Sequence, residues 1–139
     1  MRRLFHLHRP IVRLILAVIA AELVPILLLV AIVTAFGPPE LGAAQSFAKQ
    51  MGKFVGPIGG AACAYLAAYG IGRIAPERAL SDGVIVGLCL AALDVIILIA
   101  AGAQFEWLYV VSNVGKLAAA IFGGWVSRGP AKVSTQTSP

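Results

Sequence analysis

Four polar side chains, Glu22, Tyr65, Asp94 and Lys116, stand deep in otherwise apolar runs. A charged group at the centre of a bilayer costs about 2.5–3.5 kcal/mol on insertion scales, so such residues need partners and a place out of contact with lipid. A lysine between two carboxylates removes much of that cost. The same set carries chemistry. Two carboxylates and one ammonium leave a surplus of one negative charge, which a low-dielectric medium disfavours, so one carboxyl is expected to hold a proton. The two acids are then expected to titrate as a coupled unit. Ser112 and Asn113 lie four and three residues before Lys116, on the same helical face. Pro25 leaves the carbonyl of Ala21 without its helical partner, and that oxygen is a candidate acceptor for Lys116 or Tyr65.

The elements that must hold these residues are long and hydrophobic. Hydrophobic residues form 60% of the 139-residue chain and charged residues 12%, against roughly 45–50% and 25% in soluble domains. A soluble domain of this length would expose apolar patches that drive aggregation. The pattern predicts a single-domain, all-α membrane protein: a four-helix transmembrane bundle with spans at about 11–36, 54–75, 83–103 and 107–127. Counted at roughly 1.5 Å per residue from the ends of these runs, all four polar residues fall roughly 14–16 Å deep. That is close to the middle of a hydrocarbon core about 30 Å thick.

The first run, Ile11 to Phe36, also resembles a secretory signal, with Arg2-Arg3-Leu4-Phe5 ahead of it and Val33-Thr34-Ala35 as a weak cleavage site. It is longer than a signal core of roughly 7–15 residues and carries a central Glu, so an uncleaved first span is expected. Gly37-Pro38-Pro39 ends it, and Pro39 can open the next helix. Over 39–51, Leu41, Ala44, Phe47, Ala48 and Met51 recur at helical steps, with Glu40, Gln45, Lys49 and Gln50 on the other side. This predicts a short interfacial helix in the first outer loop, with a plain loop as the alternative. Ser81 or Asp82 can cap the third span. The short link Gln104-Phe105-Glu106 makes spans three and four a hairpin. The tail 129–139 has the composition of a disordered cytoplasmic segment.

With both termini inside, Arg2, Arg3, Arg9, Arg13, Arg73, Arg78, Arg128 and Lys132 face the cytoplasm and only Lys49 and Lys53 face out. That asymmetry, with the aromatic anchors Phe105, Trp107, Tyr109 and Trp125, predicts an N-in/C-in protein of a bacterial inner (plasma) membrane. The basic residues sit at segment ends rather than in a stripe, which excludes a nucleic-acid partner and makes lipid the natural one. Cys63 and Cys89 read as small apolar residues. His6 and His8 lack a third ligand nearby, and no His lies within a span, so neither metal nor haem nor any other cofactor is indicated. No catalytic motif is present, and no enzyme activity is expected.

Close helix packing is expected at the small residues Gly56, Gly60, Ala64 and Ala68 of the second span and Gly115, Ala119 and Gly123 of the fourth. Ala21-Glu22, in the first of four short spans, resembles the small multidrug resistance transporters. The likeness covers those two residues and the span count; Asp94 and Lys116 depart from it, and no function is carried across. Two functions follow from the residues themselves. One is a structural or accessory protein binding itself or other membrane proteins. The alternative is a small proton-coupled transporter, working as an oligomer, with Glu22 or Asp94 as the coupling carboxylate. Whether the charged cluster is dry or opens to a cleft separates the two.

Overall fold

In lipid an unpartnered backbone N–H or C=O costs several kcal/mol, and a helix satisfies its own groups within the segment. The apolar runs fold accordingly. The computed structural model describes residues 2–100, 102 and 106–129, with side chains from Ile11 onward. Among them are four helices and no strand: α1 (Arg2–Phe36), α2 (Leu41–Ile74), α3 (Ala79–Ala100) and α4 (Trp107–Ser127). Each is long and apolar enough to cross a membrane, α1 through Ile11–Phe36. The end expected for the third span at Ala103, the link Gln104-Phe105 and the tail beyond Gly129 lie outside the described residues, as do the side chains of His6 and His8.

The expected separate interfacial helix is corrected. Leu41–Met51 is helical, but it is the first part of α2, which continues through Gly52 and Pro57 to Ile74 with Glu40 at its N-cap. A lone glycine costs a helix about 1 kcal/mol and does not end it. Packing decides the matter: at Gly52 a Cβ would sit 3.6 Å from Leu29 Cδ2, so this part of α2 runs against α1. Helix α3 likewise starts earlier than expected, at Ala79. Ser81 therefore lies inside it and donates its hydroxyl to the Arg78 carbonyl at 2.8 Å. Asp82 occupies the first turn, where the helix dipole favours negative charge.

Helix α2 is the spine: it packs on α1, α3 and α4, while α3 packs on α4. Helix α1 touches α3 only sparsely, and its backbone does not closely approach α4 among the described residues, though the two helices meet through the Glu22 and Lys116 side chains. The buried side chains are small; Leu90 and Val86 are the largest that are fully buried. Large apolar side chains such as Leu16, Leu27 and Ile99 point outward, which suits a lipid exterior.

Small residues set the helix spacing. Gly60, Ala64, Ala68 and Gly72 form the buried stripe of α2. At Gly123 a Cβ would overlap the Tyr65 carbonyl. Gly56 and Gly115, expected in the contact stripes, do not belong to them, since a Cβ at either meets nothing within 4 Å. Ala119 is only partly buried, beside the fully buried Ala120. The stripe of α4 is Lys116, Ala120, Gly123, Gly124 and Ser127, one position round from the expected Gly115 and Ala119. Helix α3 adds a pair that the sequence reading missed. A Cβ on Gly83 would lie 2.7 Å from the Ala120 carbonyl oxygen, and one on Gly87 2.7 Å from Leu117 Cδ1. The four-residue spacing of Gly83 and Gly87 was the available signal.

Candidate functional site

Glu22 comes from α1, Asp94 from α3 and Lys116 from α4, and the three meet beside Gly60 of α2. The ammonium of Lys116 donates to Glu22 Oε1 at 3.2 Å and Oε2 at 3.0 Å. It donates to Asp94 Oδ2 at 2.7 Å. An ammonium has three donors and no acceptor, so its bonds are all spent on carboxylate oxygens. The Ala21 carbonyl freed by Pro25 is therefore not its acceptor. The lysine side chain is 6% exposed, that of Glu22 11% and that of Asp94 18%. Gly60 is what lets the lysine through: a Cβ there would overlap Lys116 Cε. Sequence reasoning had assigned Gly60 to helix contact, but its neighbour is this side-chain arm rather than a facing backbone.

Tyr65 does not join the triad. Its ring stacks on Tyr69, with centroids 6.0 Å apart, and tilts against Phe122 at the same distance. It lies five residues past Gly60, roughly 7–8 Å along the helix axis. The expected depth failed because it was counted from Phe54, whereas α2 begins at Leu41 and passes the triad at Gly60. Asn113 lies on the triad's side of α4. Its amide nitrogen donates to the Tyr109 carbonyl at 2.9 Å, while its Oδ1 is buried with no hydrogen-bond partner.

Above the triad the bundle is open. A cavity of about 350 Å³ is lined by Glu22, Pro25, Ile26 and Leu29 of α1, by Lys49, Gly52, Lys53, Gly56 and Pro57 of α2, and by Asp94, Ile97 and Leu98 of α3. Glu106 and residues Leu108, Tyr109, Ser112, Asn113 and Lys116 of α4 complete it. It rises from the triad toward the bundle end that carries the α1–α2 connection. Below the triad the helices close on Ala64, Ala68 and Ala120, each fully buried. The triad is thus fully paired and also forms the floor of a one-sided cleft. Lys49 and Lys53, one turn apart on the cleft wall, form no ion pair among the described residues; the ion pairs there are those of Lys116.

Fold and site together define a class: a four-helix protein with a membrane-compatible exterior and a buried Glu–Lys–Asp triad beneath a cleft. No protein-family model, curated protein or solved structure matches the chain.

Proposed function

We propose that the chain is an N-in/C-in protein of a bacterial inner membrane that works as an oligomer in proton-coupled transport, with Glu22 and Asp94 sharing the exchangeable proton. The observation that carries this reading is that the triad floors an open cavity. Through the cavity a proton can reach the two acids from water, a path that a cluster sealed in apolar packing would lack, and buried ion pairs are weak stabilisers compared with apolar packing of the same volume. With Lys116 shared between the acids, the floor carries one surplus negative charge, which a proton arriving through the cleft neutralises. On this reading, with an orientation taken from Arg13, Arg73, Arg78 and Arg128 at one end and Lys49 and Lys53 at the other, the closed packing beneath the floor corresponds to an outward-open arrangement.

The test is reconstitution into liposomes with an imposed pH gradient and an internal pH dye, with infrared spectroscopy for a protonated carboxyl band. Proton uptake lost in Glu22→Gln or Asp94→Asn, with a carboxyl band removed by the same change, supports the reading. Parent protein that neither moves protons nor shows the band would overturn it. Reporter fusions at Gly42 and at the tail test the orientation, and a periplasmic signal at the tail rejects it.

The second reading is a structural or accessory protein docking on itself or on another membrane protein. The observation in its favour is that Gly115, which does not line the cleft, has open space where a Cβ would stand, room that a partner helix can use. Large substitutions at Gly115 that abolish co-purification of a partner, with proton movement absent throughout, favour this reading.

A further inference from the structure

The cleft has two features that the triad does not use. Its walls are mostly apolar, through Pro25, Ile26, Leu29, Ile97, Leu98 and Leu108, yet it carries Lys49 and Lys53, cations that form no ion pair among the described residues. It is also open at the side. Ile26 on α1 and Ile97 on α3 both line it, and they are 44% and 41% exposed. Because α1 touches α3 only sparsely, this seam is the least packed wall of the cleft, and in a membrane it would face lipid. The heights fit a lipid. Lys53 and Lys49 lie seven and eleven residues before Gly60, roughly 10 and 16 Å above the triad. Glu106 lies ten before Lys116, roughly 15 Å above it. Half of a hydrocarbon core is about 15 Å, so with the triad at mid-membrane the rim stands where phosphate groups lie. Lysine stems reach that level easily by extending toward water.

We propose that the cleft holds one anionic phospholipid drawn sideways from the leaflet at this end, its phosphate between Lys49 and Lys53 and one acyl chain in the α1–α3 seam. Charge selects the class. Two lysines and Glu106 give the rim a net charge of plus one, held roughly 10–16 Å from the surplus negative charge of the floor, and a phosphate of charge minus one at the rim neutralises it locally. The apolar walls take the chain, and the seam lets it leave sideways before it meets the ammonium of Lys116. A soluble phosphate ester would use the lysines and leave the apolar walls to water; a zwitterionic lipid would leave the rim charge unbalanced. The inference rests on the membrane-spanning reading but not on proton exchange at the triad.

Native mass spectrometry of the full chain released from detergent tests it, with dioleoyl phosphatidylglycerol as probe, dioleoyl phosphatidylcholine as comparator and glycerol 1-phosphate as soluble competitor. One tightly held phosphatidylglycerol is expected. Each basic residue near a lipid surface contributes about fivefold to anionic-lipid binding, so Lys49→Gln with Lys53→Gln should weaken it roughly thirtyfold. Ile97→Trp, which fills the seam, should also weaken it. The triad variant Glu22→Gln/Asp94→Asn/Lys116→Met should bind as the parent does, which separates this site from proton exchange. Equal binding of phosphatidylcholine, full displacement by glycerol 1-phosphate, or unchanged affinity in the double lysine variant would each overturn the proposal.

Discussion

Replacing Lys116 by Met removes the ammonium and keeps an unbranched stem over Gly60, so the change isolates the charge. In the parent the nitrogen lies 3.0 Å from Glu22 Oε2 and 2.7 Å from Asp94 Oδ2. Unit charges about 4 Å apart attract by about 4 kcal/mol at an effective dielectric of 20, and Lys116 makes two such contacts. Desolvation of all three groups offsets much of that attraction, but once the lysine is gone the acids lose their partner and repel each other. Removing one member of a buried ion cluster costs about 3–5 kcal/mol. At roughly 2–4 °C per kcal/mol, the unfolding midpoint of Lys116→Met in detergent, followed by circular dichroism, should fall by roughly 10 °C at neutral pH. Acidification should recover part of the loss, because a protonated carboxyl needs no ammonium. The variant that also carries Glu22→Gln and Asp94→Asn should lie within about 2 kcal/mol of the parent, since removing the whole cluster leaves no stranded charge. A Lys116→Met protein with the parent's midpoint at every pH would refute the buried triad.

Gly60→Ala should destabilise the parent by about 1–3 kcal/mol, because the new methyl overlaps the pinned lysine arm. In a Lys116→Ala background it should instead stabilise by up to about 1 kcal/mol, the ordinary helix preference for alanine; a thermal-unfolding double-mutant cycle reads the difference. Gly83→Ala sets a methyl 2.7 Å from the Ala120 carbonyl oxygen, so α3 and α4 must part and the midpoint should fall by several degrees. Gly115→Ala meets nothing within 4 Å and should hold or raise the midpoint; a large loss there would mean that the α4 stripe is misplaced. Ala64→Leu should be strongly destabilising in the same assay, since Ala64 is fully buried.

Composition and run length alone determined four helices long and apolar enough to cross a membrane, because the need to satisfy backbone groups in lipid leaves a long apolar segment little choice but helix. The end of α1 at Phe36 and the start of α4 at Trp107 were legible because Gly37-Pro38-Pro39 follows one and Glu106 precedes the other, while the start of α1 at Arg2, ahead of the apolar run, was not. The cost of a lone charge in lipid also made Glu22, Asp94 and Lys116 recognisable as partners before any fold was known. The rest depended on rotation and offset, which a one-dimensional pattern does not carry. One residue of rotation separates Ala119 from the buried Ala120. An early start at Leu41 turned an expected surface helix into the first third of α2, and Tyr65 lies about a turn and a half away from the triad. The role of Gly60 as a lane for Lys116, the pairing of Gly83 and Gly87 with α4, and the cleft walled by Lys49 and Lys53 arise only when helices from distant parts of the chain are set side by side. Local sequence fixes which segments become helices, while the contacts among side chains on different helices decide what faces what.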